Sequence, residues 1–163
     1  TAIATWCQLL GAGRVVVSDP VAARRAHAEV IGASAIDPST ADVPAQFADE
    51  TGGPPDVVFE AVGNVGMVQQ AVDAASVYGT VIIAGVCAKP DPFVPITALL
   101  KELSMRFVIF YRTRDFEHTI RMIDDGRLDP TSLVSDVIGL DEVPSMFEAL
   151  QQPSTQQKVI VRP

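Results

Sequence analysis

The chain has 163 residues, 48% of them hydrophobic and 20% charged, which is the balance of one globular domain with a sizeable core rather than of a disordered segment. A net charge of −8 argues against nucleic acid as a partner, because phosphate binding needs clustered Lys and Arg. There is no apolar run of bilayer length and no charged-then-apolar leader, and Cys7 and Cys87 are too few for a disulfide framework or zinc cluster, so a cytoplasmic protein without a membrane partner is expected.

In chain order, Ile3, Cys7 and Leu10 recur at helical spacing across 2–10, and Gly11 supplies a stop. The run "RVVVS" at 14–18 is short, continuous and β-branched, as a strand buried on both faces should be. Pro20 opens the next helix, "PVAARRAHAEVIGA", where its missing N–H does no harm, and Gly32 ends it. "SAID" reads as a short strand and 44–50 as a short helix closed by "TGGPP". "PDVVFEAVG" is the clearest strand. A helix over 65–76 follows it, with Val65, Val68, Ala71, Val72 and Ala75 inward and Gly79 as its stop. "TVIIAGV" is a further buried strand. After the Pro-rich loop "AKPDPFVPI" come a helix in "TALLKELS", a strand in "MRFVIFY", helices in "DFEHTIRMIDDG" and "DEVPSMFEAL", and a last strand in "QKVIV". Strands separated by helices require crossovers, so the expected fold class is α/β, a doubly wound, Rossmann-like parallel sheet. A flavodoxin-like sheet is the alternative on pattern alone.

Asp19 is the first residue with chemistry to offer. A carboxylate just past the second strand of such a fold accepts both ribose hydroxyls of adenosine and favours NAD over its 2′-phosphorylated form. The plainer reading is a cap on the helix at Pro20, and the two stand level. Arg24, one turn on, either lies over the same ribose or belongs to a solvated face shared with Arg25. The glycine fingerprint of a dinucleotide fold precedes the ribose acid by about 20 residues. Counting back from Asp19 reaches the start of the chain, so the first strand and glycine loop are expected to be missing from it. "GAGR" at 11–14 is a decoy, since it follows a helix and precedes a strand. His27 and His118 each sit in a helical pattern and read as surface residues, and with Cys7 and Cys87 they match no zinc spacing. Asp124 and Asp125 adjoin Gly126 and read as a helix end.

"LGAGRVVVSDPVAARRAHAEVIGASAID", "DVVFEAVGN" and "GTVIIAGV", in that order and spacing, resemble the cofactor domain of the medium-chain dehydrogenase/reductase superfamily, closest to its zinc-type alcohol, polyol and threonine dehydrogenases. The likeness extends through "DFEHTIRMIDDGRLDPTSLVSDVIGLDEVPSMFEAL" to "KVIVRP". It implies that 1–163 is a truncated dinucleotide-binding domain, with the catalytic zinc domain absent and zinc present only in an intact parent. It also implies an NAD-dependent oxidoreductase that moves hydride between NAD and an alcohol or carbonyl substrate, the chain alone being inactive. Asp19 and Arg24 would hold the adenosine ribose. Val62, Gly63 and Asn64 would lie near the cofactor, Gly85 and Val86 would meet its nicotinamide side, and Lys158 could reach the pyrophosphate. Core packing is the competing reading of Val62 and Val86, and plain solvation that of Lys158. A zinc-free quinone or enoyl reductase of the same superfamily, or a non-catalytic binding or oligomerisation module, are the alternatives. The resemblance finally implies a homo-oligomer that pairs edge strands near Phe93 to Ile96. A missing first strand would leave "RVVVS" and "DVVFEAV" with unpaired edges.

Overall fold

The computed structural model describes residues 1–151 and 155–163. The chain runs α1 (Ala2–Leu9), β1 (Val16–Ser18), α2 (Ala22–Val30), β2 (Ser34–Ile36), α3 (Val43–Thr51), β3 (Val57–Glu60) and α4 (Met67–Ala74). It continues through β4 (Thr80–Ile83), α5 (Pro95–Leu100), β5 (Ser104–Phe107), α6 (Thr113–Asp124), β6 (Asp136–Gly139), α7 (Val143–Ala149) and β7 (Val159–Arg162). It divides into two compact units, Thr1–Ala41 with Thr113–Pro163, and Asp42–Arg112. All strand pairs are parallel, as alternation with helices requires.

In the first unit β1 pairs with β2, Val17 opposite Ala35, and β6 pairs with β7, Val137 opposite Ile160. Ala28 and Ile36 are fully buried there, with Ala4, Ala33, Met122, Leu128 and Ile138 close behind. The second unit holds the order β3-β4-β5. Val81 and Ile83 alternate inward from β4 and meet Ala71 of α4 and Ala75 at its C-cap, with Val58, Val68, Leu103 and Met105 packed around them. The i, i+3, i+4 spacing of Val68, Ala71 and Val72 gives α4 its apolar stripe, which Ala75 extends at the C-cap. Complete burial of a valine such as Val81 contributes about 1.5–3 kcal/mol.

Polar ties hold both ends of α4. Asp91 accepts the N–H groups of Gly66 (2.6 Å) and Val68 (3.2 Å), while Lys101 Nζ donates to the carbonyls of Val72 (3.0 Å), Asp73 (2.6 Å) and Ala75 (2.8 Å). Both suit the helix dipole, anion at the N-terminus and cation at the C-terminus.

Several elements differ from expectation; α2 starts at Ala22, α4 spans Met67–Ala74, which leaves Val65 exposed, and β4 ends at Ile83. β6 was not anticipated. β3 ends at Glu60 rather than Gly63, and β5 at Phe107 rather than Tyr111. The helix expected over 97–104 starts earlier, because Pro95 takes its first turn, and Ser104 instead enters β5 opposite Thr80. Phe93 to Ile96 is therefore not an edge strand. Val94 is extended and gives its N–H to Gln69 Oε1 (2.6 Å), but Pro95 and Ile96 are helical.

Candidate cofactor site

Asp19 follows β1 directly, and its N–H continues the ladder to the Ile36 carbonyl at 3.3 Å. Its Oδ1 accepts the Val21 N–H at 2.8 Å, so the carboxylate does hold the turn into α2. Oδ2 stands 3.5 Å from the Arg24 guanidinium, and Arg24 is 43% exposed, so this ion pair adds little stability. One oxygen thus serves the turn at Val21 and the other the Arg24 pair, and both residues line a pocket of about 230 Å³ with Thr1, Val17, Gln156 and Gln157. Each carboxylate oxygen has about two acceptor sites, so Asp19 keeps capacity for a hydroxyl pair. The cap reading is corrected: α2 starts at Ala22 with Val21 as its N-cap, and Asp19 closes the turn before it. Lys158, next to Gln157, is exposed and lies outside that lining; its carbonyl accepts the Ser135 N–H at 2.9 Å.

The second cluster forms at the tips of β3 and β4. Glu60 ends β3 and is only 6% exposed. Its Oε1 accepts the N–H groups of Val62 and Gly63, each at 2.7 Å, which curls the chain over the strand end. Its carbonyl takes the N–H groups of Ala84 (2.8 Å) and Gly85 (3.0 Å), the two residues that follow β4. Gly63 has φ +74°, and a Cβ there would come within 2.6–2.8 Å of the Val86 backbone. A Cβ on Gly85 would meet the Gly63 nitrogen and the Glu60 carboxylate. Only glycine fits at either position.

The structure thus brings Gly63, Gly85 and Val86 together. Val62 and Val86 are 62% and 72% exposed, which overrules core packing for both. Asn64 is exposed, and its carbonyl accepts the Met67 N–H at 3.2 Å, leading into α4. Beside Gly85 and Val86, an apolar pocket of about 240 Å³ is completed by Ile83, Cys87, Phe107, Val108 and Ile109. An apolar slot at the carboxyl ends of parallel strands, with glycine allowing close approach, suits a flat heteroaromatic ring.

Glu60 escaped the sequence reading. Its signal was an acid closing an apolar run three residues before a glycine. Cys87 and Phe107 to Ile109 were missed as pocket walls because a continuous apolar run looks like core. His27 corrects the surface reading: its Nε2 is buried with no hydrogen-bond partner. His118 is exposed, its ring centroid 5.5 Å from that of Trp6. Among the described residues no three His, Cys, Asp or Glu side chains converge as a metal site, so these residues do not fit zinc. No helix among them is long and apolar enough to cross a membrane.

Residues 1–125 match the zinc-binding dehydrogenase family. Among curated relatives, the (R,R)-butanediol dehydrogenase of Bacillus subtilis is 33% identical over 142 residues, covering 86% of this chain and 41% of the relative. The crystal structure of 2R,3R-butanediol dehydrogenase from Bacillus subtilis superposes with a TM-score of 0.90 at 29% identity, over 99% of this chain and 47% of that one. A Sinorhizobium meliloti protein assigned to the zinc-binding dehydrogenases and bound to NADP gives 0.86 at 29% identity, over 98% and 48%. The chain spans less than half the length of these relatives. On the family match and the shared doubly wound α/β fold, the chain belongs to the zinc-binding dehydrogenases.

Proposed function

We propose that this chain is the cofactor-holding part of an NAD-dependent alcohol or polyol dehydrogenase, a truncated dinucleotide-binding domain whose zinc ligands and substrate wall lie outside it. The observation that carries the reading is Asp19 at the tip of β1, one carboxylate oxygen holding the Val21 N–H and the other beside Arg24, with both side chains lining one pocket. When bound, NAD supplies the hydride acceptor for an alcohol carbon.

The chain's own residues bind and orient. Asp19 Oδ2 takes the ribose hydroxyls, Arg24 flanks them, and the same negative charge repels a 2′-phosphate. Lys158 adds positive charge for the pyrophosphate. Gly63 and Gly85, lacking Cβ atoms, let the ring approach the strand tips, while Val62, Val86 and Ile109 keep water from it. Asn64 closes the turn beside them. The exposed apolar residues Val94, Ile96, Leu99 and Leu100 support a homo-oligomer, and the composition a cytoplasmic one.

Fluorescence titration with NADH and NADPH tests the reading. Asp19→Ala is expected to weaken NADH and narrow the preference over NADPH by about 1.5–3 kcal/mol, the worth of charge-assisted hydrogen bonds. Equal affinity for the two cofactors before mutation refutes it.

A further inference from the structure

We propose that Arg25 and Asp37 are positioning residues that set the Asp19 carboxylate, and thereby the choice between NAD and NADP; the proposal rests on the ribose-binding reading of Asp19. Arg25 was read from sequence as part of a solvated face with Arg24. The structure separates them: the Arg25 side chain is 20% exposed and reaches the tips of two strands at once. Its Nη1 donates to the Asp19 carbonyl at 2.8 Å, just past β1, and its Nη2 to Asp37 Oδ2 at 2.8 Å, just past β2.

The Asp37 end of this bridge is itself fixed. Its Oδ1 accepts the Ser39 N–H at 2.9 Å and the Ser39 hydroxyl at 2.5 Å, and its carbonyl accepts the N–H groups of Thr40 (3.2 Å) and Ala41 (3.1 Å). The Asp19 end needs such an anchor. The peptide that follows Asp19 leads into Pro20, which has no N–H, so the carbonyl is that peptide's only polar handle. Arg25 takes it. With the Val21 N–H on Oδ1, the backbone and one oxygen of Asp19 are both held, which fixes where Oδ2 stands. A site residue tolerates about 0.5 Å of misplacement before its geometry is lost. The planar guanidinium spans two acceptors in fixed directions, which an ammonium on a flexible stem cannot do.

The test uses the full chain and measures dissociation constants for NADH and NADPH together with the cofactor-free melting temperature. Arg25→Leu is expected to shrink the NADPH/NADH ratio of dissociation constants by about 3–10-fold, less than the more than roughly tenfold worth of a charge-assisted hydrogen bond, because Asp19 is misplaced rather than removed. Arg25→Lys and Asp37→Asn should shrink it in the same direction, and the Arg25→Leu/Asp37→Asn double variant no further than Arg25→Leu alone. If Arg25→Leu does not fold, the two milder variants carry the test. A lowered melting temperature with an unchanged ratio makes the bridge a plain staple of α2 and overturns the proposal. Asp19→Ala separates the two failures. If it leaves the ratio unchanged, the ribose reading falls and takes the proposal with it. If it collapses the ratio while the Arg25 and Asp37 variants do not, only the positioning role falls.

Discussion

A Cβ placed on Gly85 would stand 2.5 Å from Glu60 Oε2, inside the space that the buried carboxylate occupies. The carboxylate cannot swing away without releasing the Val62 and Gly63 N–H groups. Gly85→Ala is therefore expected to destabilise the protein by about 1–3 kcal/mol through overpacking. Urea denaturation measures it, and an unchanged midpoint would show that the two strand tips yield freely.

Glu60 itself should be sensitive in a graded way. Glu60→Ala strands two N–H groups at the end of β3, each worth about 1–3 kcal/mol when buried and unpartnered. Glu60→Gln keeps an acceptor in place and should cost less. Thermal melts of the two variants check the order; equal losses would assign the effect to charge rather than to hydrogen bonding.

His27 offers the opposite case. Its buried Nε2 has no partner, so removing the polar atom while keeping an apolar side chain of similar bulk should help. His27→Leu is expected to raise stability by about 1 kcal/mol, seen as a higher melting temperature. A drop would mean that the imidazole is satisfied in solution.

The Ser39 hydroxyl and then the Ser39 N–H hold the Asp37 carboxyl below its ordinary value; desolvation opposes them, and the nearby Arg25 charge adds a lesser lowering effect. A depressed folded value means that the stabilisation is fully present above the unfolded pKa and is lost as pH falls through the folded one. The stability gap between the wild type and Asp37→Asn should thus be constant down to about pH 4 and close below it. Urea midpoints across that range test this; a gap that widens in acid would reverse the sign. Asp129, lowered by the Thr131 hydroxyl and N–H, should behave alike.

Local pattern carried the elements whose residues agree with their setting. "RVVVS" and "TVIIAGV" are β-branched runs with nothing to compete, and both contain strands. "DVIG" at 136–139 was overlooked because only its two central residues favour a strand, and its pairing with β7 is a contact over twenty residues away. Pro95 was read as loop chemistry when it is the first turn of α5. At the site, Asp19 could be singled out from its place just past a β-branched run, whereas Gly63 and Gly85 entered only through the family resemblance, and their tight backbone contacts appear only in three dimensions. Arg25 was not: its meaning depends on α2 lying beside the ends of both β1 and β2, which no spacing along the helix reveals.

Among the described strands, β4 alone has hydrogen-bonded neighbours on both sides. Its amides can reach solvent only if β3 or β5 detaches, whereas β3 and β5 each have a hydrogen-bonded strand on one side only. In deuterated buffer the exchange-protected nucleus of Asp42–Arg112 should accordingly shrink with time toward Thr80–Ile83. The strand that ends at the glycine cradle is then the last part of its unit to let go, so the platform under Gly85 outlasts the turns that surround it.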